Sequence, residues 1–134
     1  MSEAGAPQTL ARSFPAELSA LFGVRTFLRE RAAAEQFGPA LTDDLVLAVS
    51  EASANAVLHS GSAMFRVSWL RESDRVVVEV SDDGEFKRRI PLGPPELGGR
   101  GIALIIALLD EVSIREGNPE QPGTVVRMTK YRSA

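Results

Sequence analysis

Glu51 and Asn55 stand four residues apart in TDDLVLAVSEASANAVLHS, residues 42–60, a stretch otherwise dominated by apolar side chains at helical spacing. On a helix they lie one turn above each other on a shared face, and His59 continues the row. Leu45, Val49, Ala52 and Ala56 mark a core-facing stripe, while Val46, Leu47, Ala48, Val57 and Leu58 fill much of the remainder. This helix is therefore expected to be enclosed on most sides, with Thr42 as its N-cap and Asp43 and Asp44 in its first turn. A carboxylate in such a wall is costly unless something pairs with it, so Glu51 and Asn55 form a candidate site. The plainer alternative puts Glu51 at the rim, bonded to neighbouring backbone.

A second signal is Val80-Ser81-Asp82-Asp83-Gly84, at the end of the strongest strand pattern in the chain. A carboxylate there can accept from an exocyclic amino group, and a glycine two residues on lets backbone lie against a flat ring. That chemistry suits adenine, although an ordinary Asp-Gly turn reads the same way. The third signal is Gly98-Gly99-Arg100-Gly101-Ile102-Ala103-Leu104, where glycines open a short apolar helix. Unobstructed N–H groups at a helix N-terminus can hold phosphate, and a flexible hinge is the competing reading.

The elements that must position these groups follow from the rest of the chain. With 134 residues, one domain is expected, large enough to bury a core without staples. There is no cysteine, which removes disulfides and thiolate metal sites. A net charge of −3 and a pI near 5.2 argue against direct nucleic-acid binding. Neither a signal-like apolar run nor a membrane-length segment is present in the sequence, so a cytoplasmic location without membrane contact is expected.

Residues 1–9 are small and polar and are expected to be disordered, leaving 10–134 as a single domain. Leu10 to Phe14 suggests an edge strand stopped by Pro15, and Ala16 to Gln36 a long helix ended by Gly38-Pro39. A turn over Pro39 to Leu41 then leads into the central helix, which stops at Ser60-Gly61. Met64 to Leu70 and Arg75 to Val80 predict a hairpin. Gly101 to Asp110 predicts a helix, and Val112 to Arg115 with Thr124 to Tyr131 a final strand pair. The order predicts a two-layer α/β sandwich, its sheet mostly antiparallel and covered by helices on one face.

Taken together, Glu-x-x-x-Asn on a helix, Asp-x-Gly after a strand and Gly-x-Gly opening another helix resemble the ATP-binding (Bergerat) fold of the GHKL superfamily, with its mixed, mostly antiparallel sheet. The phrases AVSEASANAVLHS and GGRGIALI, with Gly123-Thr124-Val125-Val126 near the end, look like the anti-sigma factor serine kinases of bacteria. The resemblance covers roughly residues 10 to 131. It implies ATP and Mg²⁺ as cofactors, with Glu51 as general base, Asn55 as the metal ligand and Asp82 on the adenine amino group. Gly84 would lie against the ring, Thr124 would complete the adenine end, and Gly99, Arg100 and Gly101 would hold phosphates beneath a lid of residues 85–98. It also implies a sigma factor and a STAS-domain antagonist as partners, with phosphorylation of a serine or threonine on the antagonist. A homodimer is compatible with the same resemblance. Arg25, on the first helix, is the expected partner contact.

One departure stands against this pattern. The family often carries a further glycine two residues after Gly84, where this chain has Phe86. A bulky group at the root of the lid favours the alternative of a catalytically weak or ATP-independent partner-binding module on the same fold. Lys87-Arg88-Arg89 could meet phosphate or an acidic partner, or be solvated. His59 could lie near the phosphates or cap its helix. Trp69 and Phe65 are assigned to the core.

Overall fold

The computed structural model describes residues 8–59, 61–84, 100–117, 120 and 123–132. Five strands and three helices follow in the order β1 (Gln8–Pro15), α1 (Ala20–Ala34), α2 (Pro39–His59), β2 (Met64–Arg71), β3 (Arg75–Asp82), α3 (Arg100–Leu108), β4 (Glu111–Glu116) and β5 (Thr124–Tyr131). The strands form one sheet in the order β1-β2-β3-β5-β4. Among the described residues all four pairings are antiparallel, in line with the expected mostly antiparallel sheet.

Alternation decides which face the helices cover. Phe65, Val67 and Trp69 on β2, Val76, Val78 and Val80 on β3, and Val126 and Met128 on β5 are buried at every second position. Register lines these residues up across the sheet: Leu10, Trp69, Val78, Met128 and Val112 form one row, and Phe14, Phe65, Asp82, Thr124 and Glu116 form another. Asp82 thus shares the helix-covered face with the hydrophobic core. Onto that face pack Val24, Phe27 and Leu28 of α1, Leu45, Val49, Ala52 and Ala56 of α2, and Ile105 of α3, with Leu109 just beyond it. The central helix α2 touches both other helices.

The ends of α1 and α2 differ from the sequence expectation for identifiable reasons. Residues 16–19 form turns, and α1 begins at Ala20. At its other end, Gln36 adopts φ 58°, Phe37 N donates to Ala32 O (2.8 Å) and Gln36 N to Ala33 O (3.2 Å). This pair of bonds is the Schellman arrangement, here closed by glutamine instead of glycine. Phe37 then packs edge-on against Trp69, whose indole N–H donates to Glu35 Oε2 (2.9 Å). Thr42 is not the N-cap of α2. Pro39 opens that helix, where a missing N–H costs nothing, and Gly38 O accepts from Thr42 N (2.9 Å). The Thr42 hydroxyl turns back to Gly38 O (2.8 Å) and is buried.

Two smaller corrections complete the comparison. Gln8 and Thr9, expected to be disordered, pair with Arg71 and Leu70. Leu47 and Leu58 are 45% and 59% exposed, so the outward edge of α2 is open rather than enclosed.

Replacing Gln36 by glycine should remove the left-handed penalty at this C-terminus. Gln36→Gly is expected to stabilise the fold by about 0.5–1 kcal/mol, read as a higher urea midpoint with an unchanged m-value.

Candidate functional site

Two connections decide where the chemically suggestive residues meet. The short link between α2 and β2 leaves the C-terminal end of α2 beside Phe65, the register partner of Asp82. At the opposite end, Lys130 Nζ donates to Leu108 O (2.7 Å), the last residue of α3, and to Asp44 Oδ2 (3.3 Å), near the start of α2. An ammonium against a helix C-terminal carbonyl is favoured by the helix dipole. With its C-terminus pinned beside the start of α2, α3 runs back along α2, and its N-terminus points toward the Asp82 end. Helices rise about 1.5 Å per residue, so the opening of α3 comes level with the second half of α2, where Glu51 and Asn55 lie.

On α2, neither Glu51 nor Asn55 belongs to the stripe that meets the sheet. Both are partly buried and sit on the flank of the helix, a correction to their expected place on the buried face. Asn55 Nδ2 is nevertheless buried and has no hydrogen-bond partner among the described residues. Such an amide is expensive to leave unsatisfied, and a polar ligand beside it would remove that cost. Glu51 lines a cavity of about 410 Å³ between α1 and α2, together with Leu21, Arg25, Val46 and Ser50. Arg25, the expected partner contact, therefore opens onto the same space as the expected base. Beside that groove Arg29 is engaged by Asp43 (3.1 Å), and Phe22 and Leu18 of the α1 region are exposed.

Asp82 is held by the backbone around it. Its Oδ1 accepts from Gly84 N (3.0 Å), and Gly84 is buried. Burial pushes the Asp82 carboxyl above its ordinary value; the Gly84 N–H opposes this, the charge of Asp83 adds to it, and the Thr124 N–H opposes it again. Thr124 is the register partner of Asp82 and shares its face. Two residues assigned in sequence to the adenine end are thus neighbours across the sheet.

Other expected residues are only partly visible. Arg100 and Gly101 are the first two residues of α3, as anticipated for a glycine-opened helix, though only their backbone is described. Gly99, Phe86, the basic run 87–89 and the whole proposed lid lie outside the described residues, as does the side chain of His59. Among the described residues, no group of three or more His, Cys, Asp or Glu could hold a metal on its own. Sequence reasoning gave no role to Lys130, which orients α3, and Gly123 entered it only as part of the phrase Gly123-Thr124-Val125-Val126.

Known proteins share both sequence and fold with this chain. Residues 14–130 match the histidine kinase-like ATPase domain family. A serine-protein kinase RsbW of Listeria monocytogenes is 34% identical over 106 residues, spanning 66% of this chain and 65% of that protein. The Staphylococcus aureus serine-protein kinase RsbW is 29% identical over 107 residues with the same coverage. The alignment thus spans just under two thirds of the length of these relatives. In three dimensions, the structure of the RsbU and RsbW domains of Rv1364c from Mycobacterium tuberculosis superposes with TM-score 0.70 at 24% identity, covering 92% of this chain and 31% of that one. The SiaB–SiaC complex structure from Pseudomonas aeruginosa gives 0.65 at 17%, covering 91% and 89%. At those identities the two structures speak for the fold. No helix among the described residues is long and apolar enough to cross a membrane.

The raised Asp82 carboxyl has a stability consequence with a definite sign. A group whose folded value exceeds its unfolded value, here 3.8, stabilises the fold below that value, and the contribution is lost as pH rises through the folded one. At neutral pH the buried charge is therefore a net cost. Asp82→Asn is expected to raise Tm at pH 7, with the gain shrinking as pH falls toward 3.8, as thermal unfolding across that range will show.

Proposed function

The chain belongs to the histidine kinase-like ATPase domain family, and on that premise we propose that it is an ATP-dependent serine/threonine protein kinase of the anti-sigma type. In this reading it binds a sigma factor and phosphorylates a small STAS-domain antagonist, and so regulates transcription. The observation that carries the kinase assignment is the shared cavity of Glu51 and Arg25. A carboxylate suited to accept a hydroxyl proton opens onto the same space as an arginine suited to hold an incoming protein. Relatives named as serine-protein kinases support the same conclusion.

In the proposed reaction Asp82 accepts from the adenine amino group, Gly84 lies against the ring, and Thr124 closes the adenine end. The N-terminus of α3, with Gly99, Arg100 and Gly101, receives the phosphates. Asn55 holds Mg²⁺, which neutralises charge on the phosphate oxygens when bound. Glu51 takes the proton of the substrate hydroxyl as its oxygen bonds to the γ-phosphorus and the bond to ADP breaks, leaving phosphoserine or phosphothreonine and ADP. Phosphoryl transfer asks a protein mainly for positioning and charge neutralisation, which these groups supply. Phe86 in place of a second glycine favours the other reading, a partner-binding module with weak or no ATP dependence.

Single substitutions separate the two. Glu51→Gln keeps shape and removes the base. Transfer of labelled phosphate from ATP to the antagonist should fall by roughly 10²-fold or more, with ATP affinity within a few-fold of wild type. Asn55→Ala should weaken both Mg·ATP binding and transfer. A wild-type protein that captures its partner equally with and without ATP, and transfers no phosphate, would establish the second reading instead.

A further inference from the structure

Gly123 holds a backbone φ of +118°, a conformation L side chains rarely adopt. A Cβ on this residue would run into the carbonyl oxygen of Asp82, and would lie 3.4 Å from the Asp82 carbonyl carbon and 3.5 Å from Asp83 Cα. All three are backbone atoms at the end of β3, so none can swing aside as a side-chain tip could. The other side of Gly123 is fixed as well, because its carbonyl accepts from Gly117 N (2.6 Å), closing the β4–β5 connection. The next peptide carries the Thr124 N–H that helps hold the Asp82 carboxylate. One residue without a side chain therefore sets both the height of the Asp82 peptide and the aim of one of its two carboxylate donors.

We propose that Gly123 is a positioning residue for base recognition: its missing side chain lets the β5 entry seat directly on the Asp82 peptide and fix the carboxylate that selects adenine over guanine. The inference rests on the assignment of Asp82 to the adenine amino group. It differs from a purely structural role in its readout. Loss of fold stability alone weakens all nucleotides together, whereas a displaced Asp82 loses the preference for an amino group over a carbonyl at the same ring position. Gly61 supplies the control, since it also holds a positive φ, +75°, but a Cβ there meets nothing within 4 Å.

The test is calorimetry of the full chain with Mg·ATP and Mg·GTP, applied to wild type, Gly123→Ala, Gly61→Ala and Asp82→Ala. Gly123→Ala is expected to raise the ATP Kd roughly tenfold and to bring the ATP-to-GTP ratio near that of Asp82→Ala, while Gly61→Ala keeps the wild-type ratio. A wild-type ratio in Gly123→Ala alongside a lost ratio in Asp82→Ala overturns the role of Gly123 alone. A wild-type ratio in Asp82→Ala overturns the adenine assignment, and this proposal with it. If Gly123→Ala does not fold, the wild-type protein decides by NMR. The Thr124 and Gly84 amide shifts should both follow the Asp82 carboxyl titration, and a Thr124 amide that ignores it overturns the proposal.

Discussion

Burial of one face of α2 against the sheet is the constraint from which the rest of the arrangement follows. Leu45, Val49, Ala52 and Ala56 commit that face to Phe65, Val78 and Val80, and the helix cannot rotate without exposing them. Glu51 and Asn55 are then forced onto its flank, and Glu51 lines the groove against α1. Lys130 completes the constraint by holding the end of α3 against the start of α2, so the opening of α3 is delivered to the Asp82 end. Candidate residues far apart in sequence thus sit on elements held together by core packing and one ammonium group.

The same arrangement leaves two unfavourably placed polar groups where the candidate ligand would sit. Asp82 stands in a row with Phe65 and pays for its burial with a raised carboxyl pKa, offset in part by backbone N–H groups. Asn55 keeps a buried amide nitrogen without a partner among the described residues. A domain optimised only for stability would hold apolar residues at both places, and strain of this kind gathers at functional sites. The outer sheet face shows the contrast. There Arg127 meets Glu79 at 2.7 Å, and Arg75 stacks over Tyr131 while pairing with Asp74 at 2.9 Å, so charges are matched and exposed.

How far the sequence disclosed this depends on the kind of signal each residue carries. Strand alternation is a strong local pattern, and the β2–β3 hairpin and the β4–β5 pair emerged within a residue or two of their expected limits. Asp82 stood out in sequence because it ends a strand just before Asp83-Gly84, whereas Thr124 was assigned through the family resemblance alone. Helix ends were harder: Thr42-Asp43-Asp44 looks like a cap, but Pro39 had already opened the helix, and Gln36 does the work usually left to glycine. The flank positions of Glu51 and Asn55 were misjudged because α2 is apolar nearly all round, so its periodicity does not say which side the sheet takes. Lys130 was invisible, since its role is a contact with a carbonyl 22 residues away. The contact of Gly123 with Asp82 likewise exists only once β3 and β5 are paired.

The central claim is that the end of β3, the second half of α2 and the opening of α3 form one ATP site. Amide hydrogen exchange of the protein alone and with saturating Mg·ATP tests it most directly. The account predicts slowed exchange at Asp83 and Gly84, at Gly101 and Ile102, and at Thr124, together. Protection confined to one of these segments, or absent from all of them at nucleotide concentrations that saturate binding, would contradict it.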